Sequence, residues 1–286
     1  MYLNYNTFKS KIKTICNIIK KDQKKLLLIF NFLKVFRVFK QFKNADLPFE
    51  HLNINYQKKV LFETYKKINE LFSICKIQND LIKINNISEL EKKYFNNISY
   101  QNLASLFNKY GSDKARSYLS YIYFEIFSNY KINSLLEIGM GSNNLGIRSN
   151  MGTGGKPGAS LKAFRDYLKI QIYGADLDKK ILFKEDKIST FYVDQLNANT
   201  IKDLKNNLPK LDLIIDDGLH QPDANLNIII ELVDHLNPSG ILVIEDIDLV
   251  FNEIFDLIKN VFQKVYNFKS SLVKMKNGYC LLIQKN

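Results

Sequence analysis

The sequence predicts a doubly wound α/β fold, mostly parallel, closed by a C-terminal antiparallel hairpin and preceded by a small helical module. Three observations carry this reading. After residue 98, short apolar runs that suit buried strands alternate with helical stretches. Asn277-Gly278 between two apolar runs is a hairpin signal near the end of the chain. Helical spacing with a large lysine excess is confined to the first third.

From Phe8 to Asn97 the apolar positions recur at helical spacing, as at Leu61, Tyr65, Ile68 and Phe72. The stretch Asn44-Ala45-Asp46-Leu47-Pro48 ends one helix, because proline disfavours helical geometry in the residue before it. Residues 1–98 hold 19 Lys+Arg against 8 Asp+Glu, and residues 99–286 hold 22 against 21, so +11 of the net charge of +12 belongs to the first part. Its crowding with Asn, Ile, Phe and Tyr fits an AT-rich genome, so codon usage explains part of the lysine excess. Residues 26–42 are the most amphipathic and basic stretch. They suit an anionic membrane surface or a glycan-assembly partner, although burial within the module or in a homo-oligomer interface is the simpler account. Domains are therefore expected at 1–98, accessory, and 99–286, the main domain.

Strands are expected at 134–138, 170–175, 190–193, 211–215 and 240–245, then 272–276 and 279–284 around the Asn-Gly turn. A chain of 286 residues suffices for one large core plus an accessory segment. Cys16, Cys75 and Cys280 are far apart, which excludes a disulfide framework or zinc knuckle and suits a reducing, cytoplasmic setting. The apolar run 26–39 is broken by Asn31, Lys34 and Arg37, short of the ~18 apolar residues a spanning helix needs. The polar start M-Y-L-N-Y-N-T-F-K does not resemble a secretory leader.

Polar groups gather where the strands end. The first strand runs into L-L-E-I-G-M-G, where Gly139 and Gly141 let the backbone turn tightly and approach a ligand. The second ends in I-Y-G-A-D-L-D, offering Asp176 to ribose hydroxyls beside Leu177, and the third in F-Y-V-D-Q, offering Asp194 to an adenine edge. This is a Rossmann-like nucleoside crevice at the carboxyl ends of the sheet. A NAD fingerprint fits less well, because Gly141 and Asp176 lie 35 residues apart instead of ~20. The excess is a glycine-rich loop, 142–160, placed to form a lid.

The fourth strand ends in I-I-D-D-G-L-H and the fifth in V-I-E-D-I. Neighbouring parallel strands bring Asp217, Glu245 and Asp246 to one rim, where converging carboxylates need a cation. Oxygen donors select a hard ion, Mg²⁺ or else Mn²⁺. His220 suits a general base beside it; His51 and His235 have no such setting. Asp216-Asp217 as a cap for the next helix is the structural alternative.

The runs L-E-I-G-M-G, G-T-G-G-K-P-G-A-S-L-K-A-F-R-D-Y, I-Y-G-A-D-L-D, V-D-Q, I-I-D-D-G-L-H and V-I-E-D-I together resemble the metal-dependent sugar O-methyltransferases, the family of the mycinamicin macrolide-sugar enzymes. K-Y-G-S-D-K at 109–114 is similar to that family's sequence at the active-site entrance, and the resemblance covers about 103–286. It implies the class I methyltransferase fold, with Asp217, Glu245 and Asp246 as metal ligands and His220 as general base. It also implies that Glu137, Gly139, Met140, Gly141, Asp176, Leu177, Asp194, Gln195 and Asp216 hold S-adenosylmethionine (SAM). Ser142-Asn143-Asn144 departs from the small residue common after the glycine turn. The expected function is SAM- and metal-dependent O-methylation of a sugar hydroxyl on a bacterial glycan, sugar nucleotide or glycosylated small molecule, in the cytoplasm or at the inner membrane face. A metal-dependent hydrolase or hydroxylase using the same carboxylates, or a non-catalytic binding module, is the alternative. Nucleic acid is not an expected partner, because the near-neutral main domain lacks the N/D-P-P-Y/F motif for base amines.

Overall fold

The computed structural model describes Lys67, residues 80–82 and residues 85–286. The expected helices of residues 8–79, with Cys16, His51 and Cys75, lie outside the described residues. Chain packing separates Met1–Ile68 from Asn69–Asn286, and the sheet with both of its cores belongs to the second unit.

That unit is an eight-stranded sheet in the order β3-β4-β2-β1-β5-β6-β8-β7. Its centre is five parallel strands: β1 (Ser134–Ile138), β2 (Gln171–Asp176), β4 (Ile188–Tyr192), β5 (Leu211–Asp216) and β6 (Leu236–Ile247). The antiparallel pair β7 (Lys269–Lys274) and β8 (Tyr279–Gln284) closes one edge, as expected from the sequence. The turn between them is longer than the Asn-Gly pair implied. It spans 275–278, with Met275 N–H donating to Gly278 O at 3.0 Å and Gly278 at φ +84°. A two-residue strand, β3 (Lys184–Glu185), pairs antiparallel with β4 at the other edge; it is too short to leave a periodic signal.

Side chains alternate across each strand, and two cores result. Leu135, Leu213, Ile215, Ile241 and Val243 face one layer of helices: α1 (Ile87–Tyr94), α2 (Ile98–Tyr110), α3 (Leu119–Asn129) and α4 (Ala159–Leu168). Leu136, Ile138, Ile214, Leu242 and Ile244 face the other: α5 (Ala198–Asn206), α6 (Pro222–Leu232) and α7 (Asn252–Lys264). Burial on both faces explains why these strands read as continuous apolar runs. Ile82, Ile87, Leu90 and Tyr94 belong to the first core, so the charge boundary drawn at residue 98 is not a packing boundary. Lysines mark the exposed side of a helix whatever its other side packs against.

The order reverses at β1, whose neighbours are β2 and β5. The carboxyl ends of these three strands open a crevice there, as at the switch point of any doubly wound sheet.

Candidate active site

The glycine turn after β1 forms the floor of the crevice. Gly139 and Gly141 have φ of +89° and +81°, in the region that suits glycine. Gly139 N–H donates to Ala175 O and Asp217 N–H to Ile138 O, both at 2.8 Å, so the turn is tied to the strand ends on either side. Asp176 accepts the N–H groups of Met140 and Asp178 at 2.9 Å each. Burial raises its carboxyl pKa, and these N–H groups pull the other way.

Two cavities adjoin above this floor. The first, about 440 Å³, is lined by Gly139, Gly141, Asp176, Leu177, Asp194 and Gln195 among others. The second, about 540 Å³, is lined by Asp113, Lys114, Met140, Asp217, His220 and Asp246 among others. Gly139, Gly141, Ser149 and Asp217 border both. The loop 142–158 folds over this shared wall. Met151 N–H donates to Ser142 O at 2.8 Å, Gly158 N–H to Met140 O at 2.9 Å, and Ser149 Oγ to Leu219 O at 3.2 Å.

Asp217, His220 and Asp246 each bring a ligand atom within 4.8 Å of the others, a spacing that suits one metal ion. His220 Nε2 lies 3.8 Å from Asp217 Oδ1, and buried His220 Nδ1 has no hydrogen-bond partner. Both His220 (φ +55°) and Asp246 (φ +50°) hold left-handed backbone, a strain that sites of function retain. Alternation along β6 would send Asp246 to the α5–α7 face. An extra residue on β6, between its pairings Ile244↔Leu281 and Ile247↔Tyr279, turns it to the rim instead. Burial is the first cause of its raised pKa, with Asp217 adding to it.

Three expected site residues lie elsewhere, and strand alternation is the reason. Glu137 and Glu245 share the parity of Leu135 and Val243, and so point beneath the rim towards α3 and α4. There Lys114 Nζ lies 2.7 and 2.9 Å from the two Glu245 oxygens and 3.1 Å from Glu137 Oε1. Ser160 Oγ donates to Glu137 Oε2 at 2.5 Å, and the Tyr123 hydroxyl donates to Glu245. Glu245 is buried and shares the Lys114 ammonium with Asp217, and Glu137 lines neither cavity. Asp216 has the opposite parity. Its oxygens accept from Gln195 Nε2 (2.7 Å), Asn225 Nδ2 (2.9 Å) and Gly218 N–H (3.3 Å). It is fully buried, anchoring the loop that carries Asp217 and His220. Met140 borders the second cavity, not the first, and reaches the nucleoside side through its N–H alone.

Lys114 lies in the K-Y-G-S-D-K stretch expected at the active-site entrance, but its contact with the carboxylates is not legible in the sequence. It is 1% exposed, whereas lysine in a turn of the kind G-S-D-K is ordinarily solvated. Gly111 ends α2 in left-handed backbone, and Ser112 caps the short 3-10 turn Asp113–Ala115 that carries Lys114 inward.

No protein-family model matches the chain. Two curated relatives are each 31% identical over 91 residues: the 8-demethyl-8-alpha-L-rhamnosyl tetracenomycin-C 2'-O-methyltransferase of Streptomyces olivaceus and the demethylmacrocin O-methyltransferase of Streptomyces fradiae. The match covers 32% of this chain and about a quarter of each relative, 24% and 23%. Among solved structures, MycE methyltransferase from the mycinamycin biosynthetic pathway, in complex with Mg and SAH, superposes with a TM-score of 0.53 at 22% identity. The superposition covers 65% of this chain and 55% of that one. A second MycE structure, with Mg, SAH and mycinamycin VI, gives 0.52 over the same shares. The fold is that of the class I SAM-dependent methyltransferases.

Proposed function

We propose that the protein is a SAM-dependent, divalent-metal-assisted O-methyltransferase acting on a sugar hydroxyl. The observation that carries this is the pair of adjoining cavities with a shared wall at Gly139, Gly141, Ser149 and Asp217. One offers the polar groups that a nucleoside needs, and the other offers a metal-type donor set with a histidine base. The curated relatives are named as O-methyltransferases of rhamnosyl tetracenomycin and demethylmacrocin, which supports a glycosylated acceptor.

In this reading Asp176 would hold the ribose hydroxyls, Asp194 and Gln195 would serve the adenine, and the Gly139 and Gly141 backbone would receive the amino-acid part of SAM. Asp217 and Asp246 fit Mg²⁺, which commonly takes one or two carboxylates and fills its remaining positions with water and substrate oxygens. SAM would supply an electrophilic methyl group, and a divalent ion held by Asp217 and Asp246 would make a neighbouring acceptor hydroxyl more acidic. His220 takes that hydroxyl's proton at Nε2, and the imidazolium is stabilised by Asp217 Oδ1, 3.8 Å away. The loop 142–158 keeps water from the shared wall, where acceptor oxygen and methyl group meet. The acceptor occupies the second cavity, with its sugar beside His220. Among the described residues no helix is long and apolar enough to cross a membrane, which is compatible with action in the cytoplasm or at a membrane face.

Calorimetric titration with SAM and Mg²⁺ tests the division of labour. Wild type should bind both, Asp176→Asn should bind SAM about 10- to 100-fold more weakly but keep Mg²⁺, and Asp246→Asn should weaken Mg²⁺ binding but keep SAM. Wild-type protein that binds no SAM would end the methyltransferase reading.

A further inference from the structure

We propose that the acceptor is a glycosyl phosphate and that Arg116 and Lys156 bind its phosphate at the mouth of the second cavity. The inference rests on the methyltransferase reading and names the chemical class of the sugar that is methylated.

Arginine is scarce in this chain: the 41 basic residues include only Arg37, Arg116, Arg148 and Arg165. Arg165 is held by Asp166 and Glu185, and Arg37 lies outside the described residues. The other two border the crevice, Arg148 on the first cavity and Arg116 on the second. Where composition favours lysine so strongly, an arginine on a cavity wall points to its planar fork, which suits the oxygens of a phosphate.

Arg116 follows the short turn Asp113–Ala115 and is exposed on the cavity wall. Its N–H donates to Asp113 O at 2.7 Å, yet the guanidinium forms no ion pair with Asp113 or with any other described residue. Lys156 reaches the same cavity from the loop 142–158 and lies across the end of α2. A Cβ at Gly111 would stand 2.9 Å from Lys156 Cδ and 3.4 Å from Nζ, so the glycine leaves the lysine its place. The last helix carbonyls do not use the ammonium, because Phe107 O and Asn108 O already accept from the Gly111 and Ser112 N–H groups. Lys156 likewise has no ion pair among the described residues.

The other charges on this cavity are already committed. Lys114 is ion-paired with Asp217, and Asp217 and Asp246 belong with His220 to the metal-type set. Among the lining residues Asp113 alone is left to oppose two cations, and bound SAM would add a sulfonium at the shared wall. A phosphate supplies the missing counter-charge. In a glycosyl phosphate that charge sits one bond from the anomeric carbon, so phosphate and reacting hydroxyl both fit a cavity of about 540 Å³.

The test is calorimetric titration of the full chain, holding SAH and Mg²⁺, with methyl glucoside, glucose 1-phosphate and UDP-glucose. The phosphate compounds should bind at least about tenfold more tightly than methyl glucoside, with an affinity that falls as salt rises. Arg116→Leu and Lys156→Met should each weaken that binding about 10- to 100-fold, and Arg116→Lys should lose less than Arg116→Leu. None of these changes should alter SAM affinity, and both side chains are exposed, so the core is untouched. UDP-glucose binding more tightly than glucose 1-phosphate assigns the site to sugar nucleotides; an equal or lower affinity assigns it to a phosphorylated glycan. Phosphate compounds that bind no better than methyl glucoside, or that bind Arg116→Leu and Lys156→Met as they bind wild type, overturn the inference. If the variants lose SAM and keep the phosphate compounds, the cations serve the methionine carboxylate, and the inference falls while the methyltransferase reading stands. Wild-type protein that does not hold SAH would overturn the methyltransferase reading itself.

Discussion

Replacing Gly139 by alanine should damage stability, SAM binding and Mg²⁺ binding together. A Cβ at this position would lie 2.1 Å from Asp217 O, 2.5 Å from Asp217 C and 2.6 Å from Gly218 Cα, whereas ordinary contact begins near 3.4 Å. Every obstructing atom is backbone, so no rotamer change relieves the clash. A left-handed non-glycine residue costs about 1–2 kcal/mol and overpacking about 1–3 kcal/mol, so the loss is roughly 2–5 kcal/mol. Domains of this size lose about 2–4 °C per kcal/mol, which implies a fall in midpoint on the order of 10 °C. The chain at 217–218 must retreat by more than an ångström, and a misplacement of about 1 Å in a catalytic group costs on the order of 100-fold in rate. Urea unfolding measures the first effect, and titrations with SAM and Mg²⁺ measure the second. Gly139→Ala with wild-type stability, or with one ligand lost and the other untouched, would refute the argument that one backbone contact couples the two cavities.

Three further outcomes are expected. Asp176→Asn leaves one oxygen to serve the Met140 and Asp178 N–H groups and should weaken SAM binding about 10- to 100-fold by calorimetry, as loss of a charged hydrogen-bond acceptor does. His220→Asn should lower kcat by roughly 10²–10⁴ with SAM affinity unchanged, because His220 borders only the acceptor cavity; an acceptor-turnover assay reads this directly. Burial pushes the Glu245 pKa from 4.5 up to about 7 despite the Lys114 charge. The folded state thus binds protons more tightly than the unfolded chain, and this group's contribution is intact below pH 4.5 and lost as pH rises towards about 7. Glu137 and Asp216, also raised by burial, act in the same direction. Urea midpoints of the metal-free protein should fall between pH ~5 and ~7.5, and Glu245→Gln should flatten the fall.

The strand ends were legible because both-face burial writes them as apolar runs and because glycine and aspartate cluster where a backbone must turn and face a ligand. Which of those carboxylates reach the crevice was only half legible. Alternation already separates Glu137 and Glu245 from Asp216, but the sequence does not say which face carries their partners. Those partners are remote: Lys114 is 131 residues from Glu245. Asp246 shows the converse, since only the bulge in β6 delivers it to the rim, and a bulge has no composition of its own. The stretch 80–98 misled for another reason. Its lysines describe the solvent side of α1, while Ile87, Leu90 and Tyr94, spaced three and four apart, pack on the sheet unit.

Asp217 joins the two cavities, because each of its polar groups has a different partner. Its N–H holds the end of β1 through Ile138 O, and its carbonyl lies against Gly139 where a Cβ would sit. Oδ2 takes the Lys114 ammonium, and Oδ1 faces His220. A ligand that shifts the glycine turn in the first cavity must therefore move the backbone that aims Oδ1 in the second. Binding in the two cavities is then energetically coupled, and linkage requires the coupling to be reciprocal: whatever SAM does to Mg²⁺ affinity, Mg²⁺ does to SAM affinity by the same factor.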